Sequence, residues 1–374
     1  MALYVGLISG TSMDAIDAAL VEIDGARCVV QHARAVPYAP TLREQLFRLI
    51  SRPVGVNLDE VGALDTAVGE AFAAAALQLL REANVHGAQI TAIGSHGQTL
   101  RHQPGGAHPF TWQIGNPDII AERTGITTVA DFRRRDVAAG GEGAPLAPAL
   151  HQAVLGSATE ARAVINIGGI GNITWLPPDA TPIGFDTGPG NCLMDGWSER
   201  HRGIAFDRDG EWAASGRVDP SLLQSLLSEP FFSKPPPKST GRELFNMGWL
   251  DTHLGALKPE PSPADVQSTL CELTARSIAT ACQQLGHVQR ALLCGGGAHN
   301  RELRRRLEAH LTATIIATTA AFNLDPDFVE AAAFAWLASR TLAGLPGNLP
   351  SVTGARHRVV LGSIHPAGTH VIHS

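Results

Sequence analysis

Runs of apolar residues that end in clusters of small polar ones punctuate this chain, and their order predicts its elements. Leu3 to Ile8 reads as a buried strand that passes through the loop "SGTSMDAID" into a second strand, Ala18 to Asp24, and a third, Cys28 to Val36. A helix follows at Leu42 to Ile50. The Ala-rich stretch Leu58 to Ala83 predicts a longer one, since Val61, Leu64, Val68, Phe72 and Leu79 recur near the helical period. Strands are expected at Ile90 to Gly94 and Thr127 to Val129, with a short helix, Asp118 to Arg123, between them. The Gly/Pro punctuation of "DFRRRDVAAGGEGAPLAP" marks a boundary, after which the pattern restarts. "ARAVINIGGIGNITWLP" (Ala161 to Pro177) again sets strand, glycine turn and returning strand in sequence. A helix at Ala264 to Leu285, a strand at Ala291 to Cys294, the loop Gly295 to Asn300 and a helix at Arg301 to Ala309 follow. Two halves that open alike predict an α/β protein with an internal duplication facing one cleft.

Composition narrows the function. With 374 residues, two domains are the expectation. A net charge of −6, with basic residues scattered along the chain, argues against nucleic acid as a partner. The amino end shows no leader pattern, and the apolar stretch Ala71 to Leu80 is too short to span a bilayer, so a cytoplasmic protein without a membrane partner is expected. Cys28, Cys192, Cys271, Cys282 and Cys294 lie far apart with no Cys-x-x-Cys pair, which reads as reduced core thiols rather than a metal site. His365, His370 and His373 read as a solvated tail.

Small residues in the first loop let successive N–H groups converge on one spot, an anion nest to which Ser9, Thr11 and Ser12 add hydroxyls. Carboxylates beside a phosphate need a divalent cation between them, so Asp14 implies Mg²⁺, bound directly or through water. "NIGGIGN" (Asn166 to Asn172) suits a second phosphate grip through Gly168, Gly169, Gly171 and Asn172, and Gly295, Gly296 and Gly297 let backbone approach a flat ligand, with His299 and Asn300 at the following helix start. Three such loops after three strands point to a nucleotide held between two lobes. In "GFDTGPGNCLMDGW", Asp186 is expected to end a strand and present its carboxylate as a general base; the competing reading makes it a cap for the helix starting near Asn191. Asp195 reads as a structural or substrate-side group.

"GLISGTSMDAIDAALVEI", "SHGQT", "ADFRRRDVAAGGEGAPL", "NIGGIGNIT", "GFDTGPGNCLMD", "PPPKSTGRELFN", "CGGGAHN" and "EAAAFAWLA" together resemble the signatures of the anhydro-N-acetylmuramic acid kinases, from residue 5 to beyond 340. Ala15 departs from the family's first loop, which usually carries Gly after the Asp. The resemblance implies a duplicated, two-lobed actin-like ATPase (ribonuclease H-like) fold with ATP in the interlobe cleft. The lobes are expected at 1–135, joined by part of the tail 345–374, and at 136–344. It implies ATP-dependent conversion of 1,6-anhydro-N-acetylmuramic acid to N-acetylmuramic acid 6-phosphate in peptidoglycan recycling and amino sugar catabolism. Water would attack C1 with Asp186 as its base, and the released oxygen 6 would take the γ-phosphoryl group. ATP with Mg²⁺ is expected at Ser9, Gly10, Thr11, Ser12, Met13, Asp14, Ala15, Ile16 and Asp17, at Asn166, Gly168, Gly169, Gly171 and Asn172, and at Gly295, Gly296, Gly297, His299 and Asn300. The sugar is expected at Ser95, His96, Gln98, Thr99, Asp131, Arg133 and Glu330, an arginine suiting the lactyl carboxylate. Arg134 and Arg135 read as a solvated face or ion pairs. "SKPPPKSTGRELF" reads as a stiff surface loop that gives Lys238 and Arg242 no role. The expected partners are the small-molecule sugar and ATP, and a homodimer is one expected assembly. Alternatives are a hexokinase-type kinase of another amino sugar, or a non-catalytic sugar or nucleotide sensor on the same fold.

Overall fold

The first apolar run is buried continuously from Tyr4 to Ser9, as suits a strand inside a sheet with helices packed on it. In the computed structural model, which describes residues 1–10, 13–51 and 55–368, β1 (Ala2–Ser9), β2 (Ala15–Asp24) and β3 (Arg27–Pro37) form an antiparallel meander with Leu7 opposite Ala18. β4 (Ile90–Gln103) runs parallel to β1, and β6 (Thr128–Ala130) runs parallel to β4. β5 (Phe110–Ile114), which the sequence did not announce, folds back antiparallel on the far half of β4. The sheet order is β12-β6-β4-β1-β2-β3, with β12 (Ser363–His365) closing the edge. His365 is therefore not a solvated tail residue, and its Nδ1 lies 2.7 Å from Asp118 Oδ1. His370 and His373 lie outside the described residues.

The second sheet repeats the plan. β7 (Arg162–Ile167), β8 (Ile170–Leu176) and β9 (Ile183–Pro189) form an antiparallel meander, while β10 (Arg290–Cys294) and β11 (Ile315–Thr318) extend it in parallel from β7. Its order, β11-β10-β7-β8-β9, is that of β6-β4-β1-β2-β3. The recurrence of order and direction bears out the expected duplicated α/β fold.

Helices cover these sheets for local reasons. The helix Leu58–Ala83 starts at Asn57, whose side chain accepts the Asp59 N–H, and ends at Asn84 in the left-handed region. It is long and apolar enough to cross a membrane, yet Val61, Leu64, Val68, Phe72 and Leu79 are buried against Val5, Leu7, Leu20 and Ile93 of the first sheet. On β1 and β4 a second helix, Val329–Leu342, packs backbone to backbone. Cβ atoms at Gly6 and Gly94 would overlap the carbonyl oxygens of Ala331 and Phe334. In the second unit the helix Pro263–Gln284, capped by Ser262, buries Val266, Leu270, Leu273 and Ile278 among Ile165, Ile173 and Leu293.

The compact units are Met1–Val154 with Phe322–Ser374, and Leu155–Ala321. These limits differ from the expected 135/136 and 344/345. The helix Val329–Leu342 packs on the first sheet, and β7 does not begin until Arg162. All five cysteines are free thiols, four of them buried and Cys192 partly exposed.

Candidate active site

In the first unit, the turn between β1 and β2 is built around a strained residue. Met13 takes φ +54, and its N–H donates to the Gly10 carbonyl at 3.2 Å. Arg43, from the helix Pro40–Ser51, holds this turn, donating Nε to the Met13 carbonyl (3.0 Å) and Nη2 to Asp14 Oδ1 (2.7 Å). No sequence signal singled out Arg43. Ala15 begins β2 without a positive φ, since Met13 absorbs the left-handed step, so glycine is not required there. Ser9 is buried with its Oγ unpartnered among the described residues, and the side chains of Met13 and Ile16 lie in the core. Thr11 and Ser12 lie outside the described residues. Burial, together with the charges of Glu330 and Asp327, pushes the Asp17 carboxyl up to about 7.

The candidate sugar residues gather where β4 continues past its expected end. β4 passes Ser95 and His96, shifts register around Gly97 at φ +73, and goes on through Gln98 and Thr99. Ser95, His96 and Asp131 line one recess of about 510 Å³, with Asp65, Trp112 and Arg134 also on its wall. Among the described residues Ser95 Oγ and Gln98 Oε1 are buried without a hydrogen-bond partner. Gln98 reaches back to the first loop, Nε2 donating to the Gly10 carbonyl at 3.4 Å, and Thr99 Oγ1 accepts from Gln113 Nε2 at 3.1 Å.

Arg133 and Glu330 join a neighbouring group and do not line the recess wall. Arg133 donates Nε to His96 Nε2 and Nη1 to the Gly143 carbonyl, both at 2.8 Å. His96 Nε2 therefore acts as acceptor, and Nδ1, 2.8 Å from the Gly97 carbonyl, carries the proton. Burial and the Arg133 charge hold this imidazole neutral, well below its usual range. Burial also lowers Arg133 to about 10, while the charges of Glu330 and Asp136 support it. The Glu330 carboxyl is raised by loss of solvation, with Arg133 pulling the other way. Arg134, expected on a solvated face or in an ion pair, pairs with Asp131 at 3.2 Å and also lines the recess.

In the second unit, Asp186 stands in the middle of β9, opposite Asn172, and does not end the strand as expected. Nor does it cap the helix Cys192–Arg202, because its Oδ2 accepts the Thr240 N–H at 3.0 Å and its own N–H donates to the Lys238 carbonyl at 2.9 Å. The Pro-rich segment, expected as a stiff surface loop without a role for Lys238, thus holds Asp186, and Lys238 Nζ pins it further to the carbonyls of Phe231 and Phe232. Burial pushes the Asp186 carboxyl up to about 6, against the Thr240 N–H that lowers it, and Glu243 adds to the rise. That value lets a carboxylate accept a proton near neutral pH. Burial likewise pushes Asp195 up to about 7, opposed by the Arg242 charge.

The glycine loops of this unit converge. Gly168 and Gly169 make the turn between β7 and β8. Their carbonyls accept the N–H groups of Gly190, Asn191 and Cys192 at 2.8 to 3.1 Å, tying the turn to the start of the helix Cys192–Arg202. A Cβ at Gly295, which sits at φ +77, would press on Asn166 Oδ1, and one at Gly297 on Ile167, so the third loop packs on the second. Gly171 leaves room for Thr187 Oγ1, a buried hydroxyl without a partner among the described residues. Asn300 is spent as a cap, its Oδ1 accepting the Leu303 N–H at 2.9 Å, and His299 precedes it on the exposed side of the loop.

Among the described residues no cluster of three or more His, Cys, Asp or Glu could hold a metal. Mg²⁺ bound to a nucleotide needs no such cluster, because phosphates and waters supply most of its ligands. Asp14, exposed and with Oδ1 taken by Arg43, fits that sparse requirement.

A family model described as anhydro-N-acetylmuramic acid kinase matches residues 2–367. A relative from Xanthomonas campestris pv. campestris described as anhydro-N-acetylmuramic acid kinase is 54% identical over 98% of this chain and 97% of its own length. One of the same description from Xylella fastidiosa is 53% identical over 98% and 96%, and another from Coxiella burnetii 51% identical over 97% of both. With the match running nearly end to end, this chain belongs to the anhydro-N-acetylmuramic acid kinase family.

Proposed function

We propose that this chain is a cytoplasmic kinase that combines 1,6-anhydro-N-acetylmuramic acid, water and ATP into N-acetylmuramic acid 6-phosphate and ADP, acting in peptidoglycan recycling. The observation that carries the reading is Asp186. A carboxyl of about 6, anchored through one oxygen by the Thr240 N–H, leaves Oδ1 to take a proton from water. In the anhydro sugar, oxygen 6 carries no proton, so a base acting on a hydroxyl has nothing to remove. Asp186 acts on water instead. The water oxygen bonds to C1 as the C1–O6 bond breaks, and Asp186 takes the proton. Oxygen 6 then bonds to the γ-phosphorus as the bond to ADP breaks.

Ser95, His96 and Asp131 are assigned to the sugar, with the unpartnered Ser95 hydroxyl as a donor. Arg133, which stands behind His96 and not on the recess wall, keeps Nη2 for a lactyl carboxylate that reaches past the wall, Nε and Nη1 being committed. The turn Gly168–Gly169 and the loop Gly295–Gly297 are assigned to ATP. Mg²⁺ would be held by Asp14 with nucleotide phosphates, and when bound it neutralises phosphate charge.

Product formed in ¹⁸O-water tests the reading. Label is expected on the C1 hydroxyl of a 6-phosphate, read by mass spectrometry. A product without label, or phosphorylation of a free 6-hydroxyl sugar alone, identifies an ordinary hexokinase-type reaction. A second test addresses the nucleotide. A Cβ at Gly296 meets nothing closer than Asn191 Nδ2 at 3.9 Å, so Gly296→Val leaves the fold intact while filling space assigned to ATP. The KM for ATP is expected to rise roughly tenfold or more, the equivalent of about 1.4 kcal/mol, with the sugar KM unchanged. Equal shifts in both constants would move the nucleotide elsewhere.

A further inference from the structure

The segment that holds Asp186 carries a cation with no evident structural duty. Arg242 is exposed, and among the described residues no carboxylate makes an ion pair with it; Asp195 senses its charge only from farther off. Its guanidinium lies across the turn between β7 and β8, where a Cβ on Gly169 would stand 2.7 Å from Nη2 and 3.0 Å from Nε. Any side chain at 169 would displace it.

That turn is itself arranged for an anion. The Gly168 and Gly169 carbonyls are engaged by Gly190, Asn191 and Cys192, whereas among the described residues no acceptor receives the N–H of either glycine. Two free main-chain donors at a glycine turn form a small nest for negative charge. The guanidinium, a planar fork of donors matched to paired oxygens, lies over it. Two residues earlier, the Thr240 N–H fixes Asp186 Oδ2. One short segment therefore sets the distance between base and cation.

We propose that Arg242 is a catalytic residue that binds the phosphoryl group in transfer. Resting on the kinase reading above, this assigns its Nη2 and Nε to two of the three oxygens that share charge while the O6–phosphorus bond forms and the bond to ADP breaks. No proton moves; the guanidinium stays charged throughout. Its contact strengthens in the transition state, so the effect belongs in kcat rather than in ground-state binding.

The test uses the full chain with Arg242→Ala and Arg242→Lys. Arg242→Ala is expected to lower kcat about 10³-fold, the scale of a single arginine acting on a transferring phosphoryl group. The KM for the anhydro sugar and the Kd for ADP should stay within about twofold, as for a contact made only in the transition state. Added guanidinium chloride should restore part of the Arg242→Ala activity, and lysine should restore only a minor part because it lacks the fork. Tight binding of ADP with aluminium fluoride, a mimic of the group in flight, should be lost in Arg242→Ala. An unchanged kcat overturns the proposal, as does a loss confined to the sugar KM, which would make Arg242 a ligand for the lactyl carboxylate. A lowered melting temperature without guanidinium rescue overturns it in favour of a structural role. Failure of the wild-type chain to phosphorylate the anhydro sugar would count against the kinase reading instead, and the aluminium fluoride comparison would still decide the role of Arg242.

Discussion

Asp186→Asn is expected to lower kcat by about 10²–10⁴-fold, the range for losing a positioned proton acceptor, while ATP binding is retained. Asparagine keeps the shape of the side chain and an oxygen for the Thr240 N–H, so the substitution removes basicity and little else. The pH profile separates the role of base from that of binder. The base must be ionised to act, and its carboxyl titrates at about 6, so wild-type kcat/KM should fall as pH drops through that value and level off above it. The residual rate of the variant should lack this limb. A variant whose turnover stays near that of the wild type, or a wild-type profile that is flat between pH 5 and 7, would remove Asp186 from the mechanism.

Gly6→Ala carries the largest expected effect on stability. Its Cβ would overlap the Ala331 carbonyl and also approach the Ala335 nitrogen at 2.9 Å, and both are backbone atoms of the helix Val329–Leu342 that cannot rotate aside. The helix would have to lift from the sheet, at a cost above about 3 kcal/mol, the upper end of ordinary overpacking. Gly94→Ala should behave alike, meeting the Phe334 carbonyl. Gly62→Ala is the control. It lies within the helix Leu58–Ala83 with nothing within 4 Å of a Cβ, and should gain about 0.5–1 kcal/mol from helix propensity. Urea unfolding of the three variants checks the ranking, and a Gly6→Ala protein as stable as the wild type would show that the helix sits farther from β1.

Periodicity and punctuation carried most of the fold. The long helix has the bounds its apolar spacing predicts, Leu58–Ala83, because Asn57 and Asn84 cap it chemically at both ends. The repeated strand, small-residue turn and strand was visible because β1 and β7 are both near-continuous apolar runs that end in small residues. What escaped was pairing at long range. β5 exists because β4 runs on past Gly94 and needs a partner for its outer half, which alternation within Phe110–Ile114 alone could not reveal. The candidate base was legible, but its position in mid-strand was not. The partners that fix it, Lys238 and Thr240, come from a Pro-rich segment more than fifty residues away whose composition signals only stiffness. Arg43 was equally hidden, since its purpose depends on where a neighbouring helix places it against Met13 and Asp14. The sugar candidates were gathered only in part, because Arg133 was committed to His96 by packing that no spacing records.

The recurrence of one strand order in both units means that each site segment has a counterpart at the same topological address. The tip joining β1 to β2 corresponds to the tip joining β7 to β8, and the far end of β4 corresponds to the far end of β10. At the first pair of addresses the chain wrote a strained turn held by Arg43 in one copy and a bare Gly168–Gly169 turn in the other. At the second pair it wrote Ser95 to Thr99 in one copy and Gly295 to Gly297 in the other. The shared topology supplies the same locations in both units, and different sequences occupy them. In the second unit the two addresses are interlocked, because Gly295 and Gly297 pack on Asn166 and Ile167, so a segment exchanged at one must keep the room the other needs.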